Sequence, residues 1–288
     1  MAAPGLDPQA PLGVFDSGLG GLTVVRALLE ALPEERILYL GDTARVPYGT
    51  RSAETVIRYA RGSARVLTER GIKALIVACN TVSAVALDML RAELDVPVVG
   101  VVDPGASAGV AAADALAAEQ GALPRIGVLG TAGTIASGAY PRAVGRLSTR
   151  HEVVAEPAPL LVPLVEEGWF DGEVPELAVR RYLEPLLEGG AGVVVLGCTH
   201  YPLLYDTIAR VAAEIAGHAV PVVDSAHATA QAVAALLAEG RIPASPVGAP
   251  GARLDLLVTD LPQSFQIVSS RFLGHEALAV HQVDIAPT

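Results

Sequence analysis

The sequence predicts an α/β fold of two similar domains with mostly parallel sheets, related by an approximate twofold, with an active site in the cleft between them. Three observations carry that expectation. Short β-branched runs alternate along the chain with longer, Ala- and Leu-rich amphipathic stretches. Most of the β-branched runs are continuously apolar rather than alternating, as strands buried on both faces of a parallel sheet require. The chain also aligns on itself. Leu12-Gly-Val-Phe-Asp-Ser-Gly resembles Ile126-Gly-Val-Leu-Gly-Thr-Ala, and Leu75-Ile-Val-Ala-Cys-Asn-Thr resembles Val194-Val-Leu-Gly-Cys-Thr-His with Cys79 laid on Cys198. Val96-Pro-Val-Val then resembles Val220-Pro-Val-Val. Asp16 to Cys79 is 63 residues against 68 from Gly130 to Cys198, and Cys79 to Asp103 is 24 against 26 from Cys198 to Asp224. Three matches in one order at similar spacing read as an internal duplication.

In chain order, strands are expected at Leu12 to Phe15, Ile37 to Leu40, Ala74 to Ala78, Val96 to Val101, Arg125 to Leu129, His151 to Glu156, Gly192 to Leu196 and Val220 to Val223. Helices are expected at Gly21 to Leu32, Ser52 to Arg70, Thr81 to Leu94, Ala106 to Glu119, Pro175 to Leu187, Leu203 to Ala216 and Ala226 to Glu239. Arg241 to Gly251 reads as a loop, followed by strands at Leu254 to Thr259 and Val280 to Ile285 that match nothing in the second repeat. At about 150 residues per domain, 288 residues allow one large domain or two ordinary ones, and the internal duplication favours two. The expected division is 1–101 plus 224–288 for the first domain, carrying Cys79, and 102–223 for the second, carrying Cys198.

Hydrophobic residues make up 51% of the chain but aromatic ones only 4%, so the core has to be built from Ala, Val, Leu and Ile. The 29 Gly and 21 Pro follow no period, which excludes collagen and low-complexity chains. A net charge of -11 argues against a nucleic-acid partner, because phosphate contacts need clustered Lys and Arg. Met1 to Ala10 has neither a basic n-region nor an apolar h-region, so no secretory signal is expected. The longest apolar candidate, Ala106 to Ala118, is broken by Asp114, so no membrane partner is expected either. The expectation is a soluble, cytoplasmic protein with reduced thiols.

That leaves the two cysteines, Cys79 and Cys198, as candidates for chemistry. Two cannot form a disulfide framework or a Cys₄ or Cys₃His zinc site, and His200 lacks companions to complete another, so no metal is expected. Each follows an apolar strand and opens a helix pattern, where ligands bind in open α/β sheets and unpaired N–H groups favour anions. A cysteine in such a place can also be an inert core residue. Both cysteines at equivalent exits, followed by Asn80-Thr81 and Thr199-His200, favour a working pair. Two thiols facing one ligand from opposite sides suit inversion of a carbon stereocentre, one as base and the other as acid. Amino-acid racemases often use pyridoxal phosphate on a lysine. The single lysine, Lys73, starts the strand that ends before Cys79, roughly 20 Å from the catalytic edge at about 3.3 Å per residue. No such cofactor is therefore expected.

Five motifs now carry a resemblance. Phe15-Asp-Ser-Gly-Leu-Gly-Gly-Leu-Thr23, Asp42-Thr-Ala-Arg-Val-Pro-Tyr-Gly49, Ala78-Cys-Asn-Thr81, Val162-Pro-Leu-Val-Glu-Glu-Gly168 and Gly197-Cys-Thr-His-Tyr-Pro202 are similar to those of the glutamate racemase family, cofactor-independent enzymes that make D-glutamate for bacterial peptidoglycan. The resemblance runs from about Leu12 to Ile285, and the residues before Pro11 are the one visible addition. It implies that Cys79 and Cys198 are the acid/base thiols, Cys79 working on the D-enantiomer and Cys198 on the L-enantiomer. It implies Asp16 as a helper beside Cys79, and His200 with Glu166 as helpers beside Cys198. It also implies that Asp16, Ser17, Tyr48, Gly49, Asn80, Thr81, Thr131, Thr134, Thr199 and His200 hold the substrate's amino and carboxylate groups. A homodimer is implied on the same ground.

Blander roles remain open residue by residue. Asp16 suits an N-cap of the following helix. Ser17 with Gly18-Leu-Gly-Gly21 suits a phosphate loop, although a dinucleotide pattern would need Gly where Thr23 stands. Glu166 and Glu167 suit a solvated turn. His151, His218, His227, His275 and His281 are isolated and read as structural or surface groups. Competing functions are a related cofactor-independent racemase for aspartate or a hydantoin, and a non-catalytic two-domain module that binds an amino acid.

Overall fold

The computed structural model describes residues 5–248, 253–261, 265–275 and 280–285. The elements in order are β1 (Leu12–Asp16), α1 (Leu22–Ala31), β2 (Ile37–Gly41), α2 (Ala53–Thr68), β3 (Ala74–Val77), α3 (Asn80–Val85), α4 (Leu87–Glu93), β4 (Val98–Gly100) and α5 (Val102–Gln120). There follow β5 (Arg125–Gly130), α6 (Ala132–Ala136), α7 (Ala139–Leu147), β6 (Val153–Pro157), α8 (Leu161–Glu167), α9 (Glu173–Glu188) and β7 (Ala191–Gly197). A 3₁₀ turn (Tyr201–Leu204), α10 (Tyr205–Ala216), β8 (Val222–Asp224), α11 (Ser225–Ala238), β9 (Leu254–Val258), α12 (Phe265–Leu273) and β10 (Val280–Gln282) complete the chain.

Two sheets form, and every strand pairing in them is parallel. One runs β10-β9-β2-β1-β3-β4 and the other β6-β5-β7-β8. The second order repeats β2-β1-β3-β4 of the first, strand for strand, which is the internal duplication expressed as topology. The tail supplies β9, which pairs with β2, so the strands without a counterpart in the second repeat extend the first sheet.

The apolar runs follow from how each sheet is covered. Ile37 and Tyr39 of β2 join one core while Leu38 and Leu40 join another. Val194 and Leu196 of β7 join the first of these cores, and Val193 and Val195 join a third. Successive side chains point to opposite faces, so a strand covered on both faces is apolar at every position. The first core contains residues of both sheets and ties the halves together.

Differences from the expected elements have local causes. The helix expected at Thr81 to Leu94 breaks at Ala86, where φ is -119° and ψ is -8°. Ser83 donates its hydroxyl to the Val77 carbonyl, pinning α3 to the end of β3 before α4 takes a new direction. α5 begins four residues earlier than expected, because Pro104 falls in its first turn, where a missing N–H costs nothing. α6, α7, α8 and α12 were not legible as helices; α7 and α8 each carry a proline in the first turn, at Pro141 and Pro163. The loop expected at Arg241 to Gly251 is described only to Gly248. No helix of the described residues is long and apolar enough to cross a membrane.

Candidate active site

The carboxyl edges of both sheets open on one cavity of about 320 Å³. β1 and β3 deliver Ser17 and Cys79 from the first sheet, and β5 and β7 deliver Thr131 and Cys198 from the second. Both thiols are free and buried, and both line this cavity. Of the residues singled out from sequence, Ser17, Tyr48, Gly49, Asn80, Thr81, Thr131, Glu166, Thr199 and His200 also line it. Asp16 and Thr134 do not reach the wall and stand behind it, each 1% exposed.

Cys79 is the N-cap of α3, and its Sγ lies 3.4 Å from the Ser17 hydroxyl. Burial pushes the Cys79 thiol up to about 12, and the neighbouring Asp16 carboxylate pushes in the same direction. Asp16 does not cap α1, whose N-cap is Gly21 with no side-chain bond. Instead its Oδ2 accepts from the Gly18 N–H at 3.0 Å, and its Oδ1 has no partner. Burial raises the Asp16 carboxyl above the usual carboxylate range, against the opposing pull of His200 and of the Gly21, Gly18 and Ser17 N–H groups.

Cys198 sits differently. The expected helix N-terminus beside it is absent, because the chain makes a 3₁₀ turn first and α10 starts only at Tyr205. Pro202 has no N–H, and the turn closes instead through Tyr201 N–H to the Cys198 carbonyl at 3.1 Å and Leu203 N–H to the His200 carbonyl at 3.2 Å. A side chain takes the place of the helix. His200 Nδ1 lies 3.9 Å from Cys198 Sγ, and its Nε2 lies 3.2 Å from Glu166 Oε1. Burial alone would lower the imidazole, but Cys198 and Glu166 outweigh it and lift His200 to about 10. Glu166 is thus a partner of His200 and not only a solvated turn. The loop at Gly20 presses against His200 and Thr199, and a Cβ there would collide with both side chains. Thr23 Oγ1 reaches across to the Thr199 carbonyl at 3.0 Å.

A threonine cluster supplies part of the polar wall, with Thr134 behind Thr81 and Thr131. Thr81 Oγ1 lies 2.9 Å from Thr131 Oγ1 and 3.3 Å from Thr134 Oγ1, and Thr131 and Thr134 are 3.0 Å apart. The Gly133 N–H donates to the Gly49 carbonyl at 2.9 Å, so the Val46 to Thr50 loop bridges to α6. Tyr48 in that loop donates to the buried carboxylate of Asp42, which also pairs with Arg45 at 2.6 Å and accepts from Thr259 at 2.8 Å. Val46, Pro47, Pro159, Val162 and Pro163 supply the apolar remainder of the cavity.

Lys73 is elsewhere. Its fully buried ammonium pairs with Glu35 at 2.5 Å and donates to the Pro8 carbonyl and Ser245. Among the described residues no three of His, Cys, Asp and Glu converge as metal ligands would. The other histidines stay away from the cavity; His151 is buried 3.3 Å from Asp114, and His227 pairs with Asp224 at 2.6 Å.

Three residues near the site had no signal in the sequence. Tyr140 of α7 donates to Asn80 Oδ1 at 2.8 Å. Arg271 of α12 donates to the Glu166 carbonyl at 2.5 Å, and the Phe272 ring meets the His200 ring edge-on. All three belong to helices that the periodicity did not reveal.

Comparison with known proteins gives the family. The family model for Asp/Glu/hydantoin racemase matches residues 12–233. A glutamate racemase of Geobacter metallireducens is 48% identical over 280 residues, covering 96% of this chain and 98% of that protein. A glutamate racemase isoform of Bacillus anthracis superposes with a TM-score of 0.87 at 35% identity, covering 97% of this chain and 99% of the other. A Francisella tularensis glutamate racemase, solved in complex with D-glutamate, superposes with a TM-score of 0.84 at 34% identity and the same coverage. Two cysteines delivered by duplicated parallel sheets to one cavity, and matches that span nearly the whole chain, lead to one conclusion: the chain belongs to the Asp/Glu/hydantoin racemase family.

Proposed function

We propose that this chain interconverts L- and D-glutamate by direct proton transfer at Cα, with Cys79 and Cys198 as the two acid/base groups, and so supplies D-glutamate for peptidoglycan. The observation that carries the reading is the pair of thiols on one cavity, one from each sheet, each beside its own proton-handling side chains. In one direction the Cys198 sulfur takes the proton of the L-enantiomer. The Cα–H bond breaks, an S–H bond forms, and the electron pair stays on Cα. The Cys79 thiol then gives its proton to the opposite face, leaving a thiolate. The reverse direction exchanges the roles.

The electrostatics support this assignment. Cys79, pushed up to about 12, rests as the thiol and is ready to donate. His200, protonated up to about 10, places positive charge beside Cys198 for the step in which that sulfur acts as base. Glu166 orients His200, and the Asp16 charge penalises a thiolate at Cys79, which favours its return to the thiol. The Ser17, Asn80, Thr81, Thr131 and Thr199 groups supply donors for carboxylate, with Thr134 holding Thr131 in place. Tyr48 and Gly49 belong to the Val46 to Thr50 loop, which lines the cavity and is tied to α6 through the Gly49 carbonyl. Lys73, ion-paired at the opposite end of β3, is not placed to form a Schiff base.

The same reading carries the division 1–101 plus 224–288 and 102–223, a cytoplasmic location and a homodimer, the last testable by light scattering. The central test is circular dichroism of L-glutamate, D-glutamate and L-aspartate with purified chain in heavy water and no added cofactor. Glutamate should racemise with deuterium entering Cα. Retention of the original hydrogen would sink the two-thiol mechanism, and faster turnover of aspartate would reassign the substrate. Cys79→Ala and Cys198→Ala should each lower racemisation by at least about 10³-fold.

A further inference from the structure

The orientation of the Asn80 amide is set from outside the cavity. Asn80 opens α3 on the cavity wall and is 2% exposed. Its Oδ1 accepts from the Tyr140 hydroxyl at 2.8 Å, while its Nδ2 is buried with no partner. The two ends of a primary amide have nearly the same shape and opposite hydrogen-bonding sense, so the neighbours decide which end faces a ligand. Tyr140 is held in turn. Its ring and hydroxyl lie against Gly197 and Gly105, where an added Cβ would approach the ring and the oxygen to 3.1 Å. Burial first, and then Cys198, keep its hydroxyl protonated well beyond the ordinary phenol range. Tyr140 does not itself line the cavity. The bond runs from α7, beside the second sheet, to α3, beside the first.

We propose that Tyr140 is a positioning residue that locks the Asn80 carbonyl away from the ligand and turns its NH₂ toward it, so that this wall selects a carboxylate over a carboxamide. A buried donor with no partner is costly until an acceptor arrives, which makes such a group a strong discriminator. The inference rests on the reading of glutamate as substrate, whose two carboxylates supply that acceptor.

The test is Tyr140→Phe, which removes only the hydroxyl. With L- and D-glutamate, KM should rise about tenfold while kcat changes less than about threefold. Inhibition by glutamine or isoglutamine, the two monoamides of glutamate, should strengthen relative to glutamate for whichever amide meets Asn80, because the freed side chain can offer its carbonyl. In an Asn80→Ala background the Tyr140→Phe change should move KM less than about twofold. A simple loss of folded protein would lower kcat and leave KM and the amide preference alone. An unchanged KM with unchanged amide preference in a variant that still racemises glutamate would overturn the proposal, as would full additivity of the two substitutions. Failure of the unaltered chain to racemise glutamate would instead strike at the function.

Discussion

The ring of Phe272 stands edge-on to the imidazole of His200, with centroids 5.2 Å apart and planes at 83°. The preceding residue, Arg271, donates to the Glu166 carbonyl. One short helix of the C-terminal tail therefore braces both members of the His200–Glu166 pair from behind. Phe272→Ala should destabilise the fold by about 3–5 kcal/mol, as expected for emptying a buried aromatic site. Phe272→Leu keeps most of the volume, and should lower kcat by about tenfold or more through misplacement of His200. Urea denaturation and racemisation kinetics separate the two effects. A Phe272→Leu enzyme with wild-type kcat would show that the brace is dispensable.

Stability should fall as the solution becomes alkaline. His200, ordinarily near 6.5, is lifted to about 10, so the folded chain holds a proton that the unfolded chain releases. That contribution is whole below about pH 6.5 and is lost as pH rises to about 10. Cys79, lifted from 9.0 to about 12, acts with the same sign and loses its contribution between those values. The slope within either window is at most about 1.4 kcal/mol per pH unit. Urea midpoints measured from pH 7 to 10 should decline, and His200→Gln should flatten the decline. A midpoint that rises over this range would contradict the assignment.

Asp16 is a site where stability and activity should part. Its raised carboxyl means that, above that raised value, the ionised side chain is a net cost to the fold, chiefly through burial. Asp16→Asn keeps the shape and an acceptor for the Gly18 N–H while removing the charge. It should leave the folded state as stable or raise it by about 1 kcal/mol at pH 7, while lowering kcat by about 10²-fold or more. Thermal melts and turnover decide. A stable variant with undiminished kcat would remove Asp16 from the proton-transfer machinery.

The Lys73–Glu35 pair should matter to folding alone. Removing one partner of a buried ion pair leaves a desolvated charge, so Lys73→Met should cost about 3–5 kcal/mol. The surviving folded enzyme should keep its kcat, since β3 separates Lys73 from the cavity. Adding Glu35→Gln should recover part of the loss. A large fall in kcat for folded Lys73→Met would reopen a chemical role for the lysine.

The division of labour between sequence and tertiary structure is visible residue by residue. Short apolar and β-branched runs placed the ten strands of the described residues, and most of these runs are continuous because a strand covered on both faces has no solvent side to interrupt it. Self-similarity between Leu12 to Val99 and Ile126 to Val223 anticipated that the two sheets share one strand order. The family resemblance named the polar side chains of the cavity wall apart from Thr50, while apolar lining residues such as Pro159 went unnamed, because they reach the site only through the packing of other segments. The short helices α6, α7 and α8 escaped, because five to nine residues carry too little periodicity to separate a helix from a loop, and the first-turn prolines of α7 and α8 read as loop residues.

What only the folded chain decided are relationships between distant segments. The sequence puts both cysteines at the start of a helix pattern, and the resemblance gives each its helpers, yet only the fold shows that Cys79 caps a helix while a 3₁₀ turn follows Cys198. Pro202 and His200 make part of that difference locally, while burial and the charges of Asp16 and Glu166 are brought to the thiols by other elements. Tyr140 on Asn80, Thr23 on Thr199 and Phe272 on His200 are contacts across 60, 176 and 72 positions. Chain order says which groups stand at the strand exits; packing of the two halves decides which side chains aim them, because orientation is set by whatever fills the space behind.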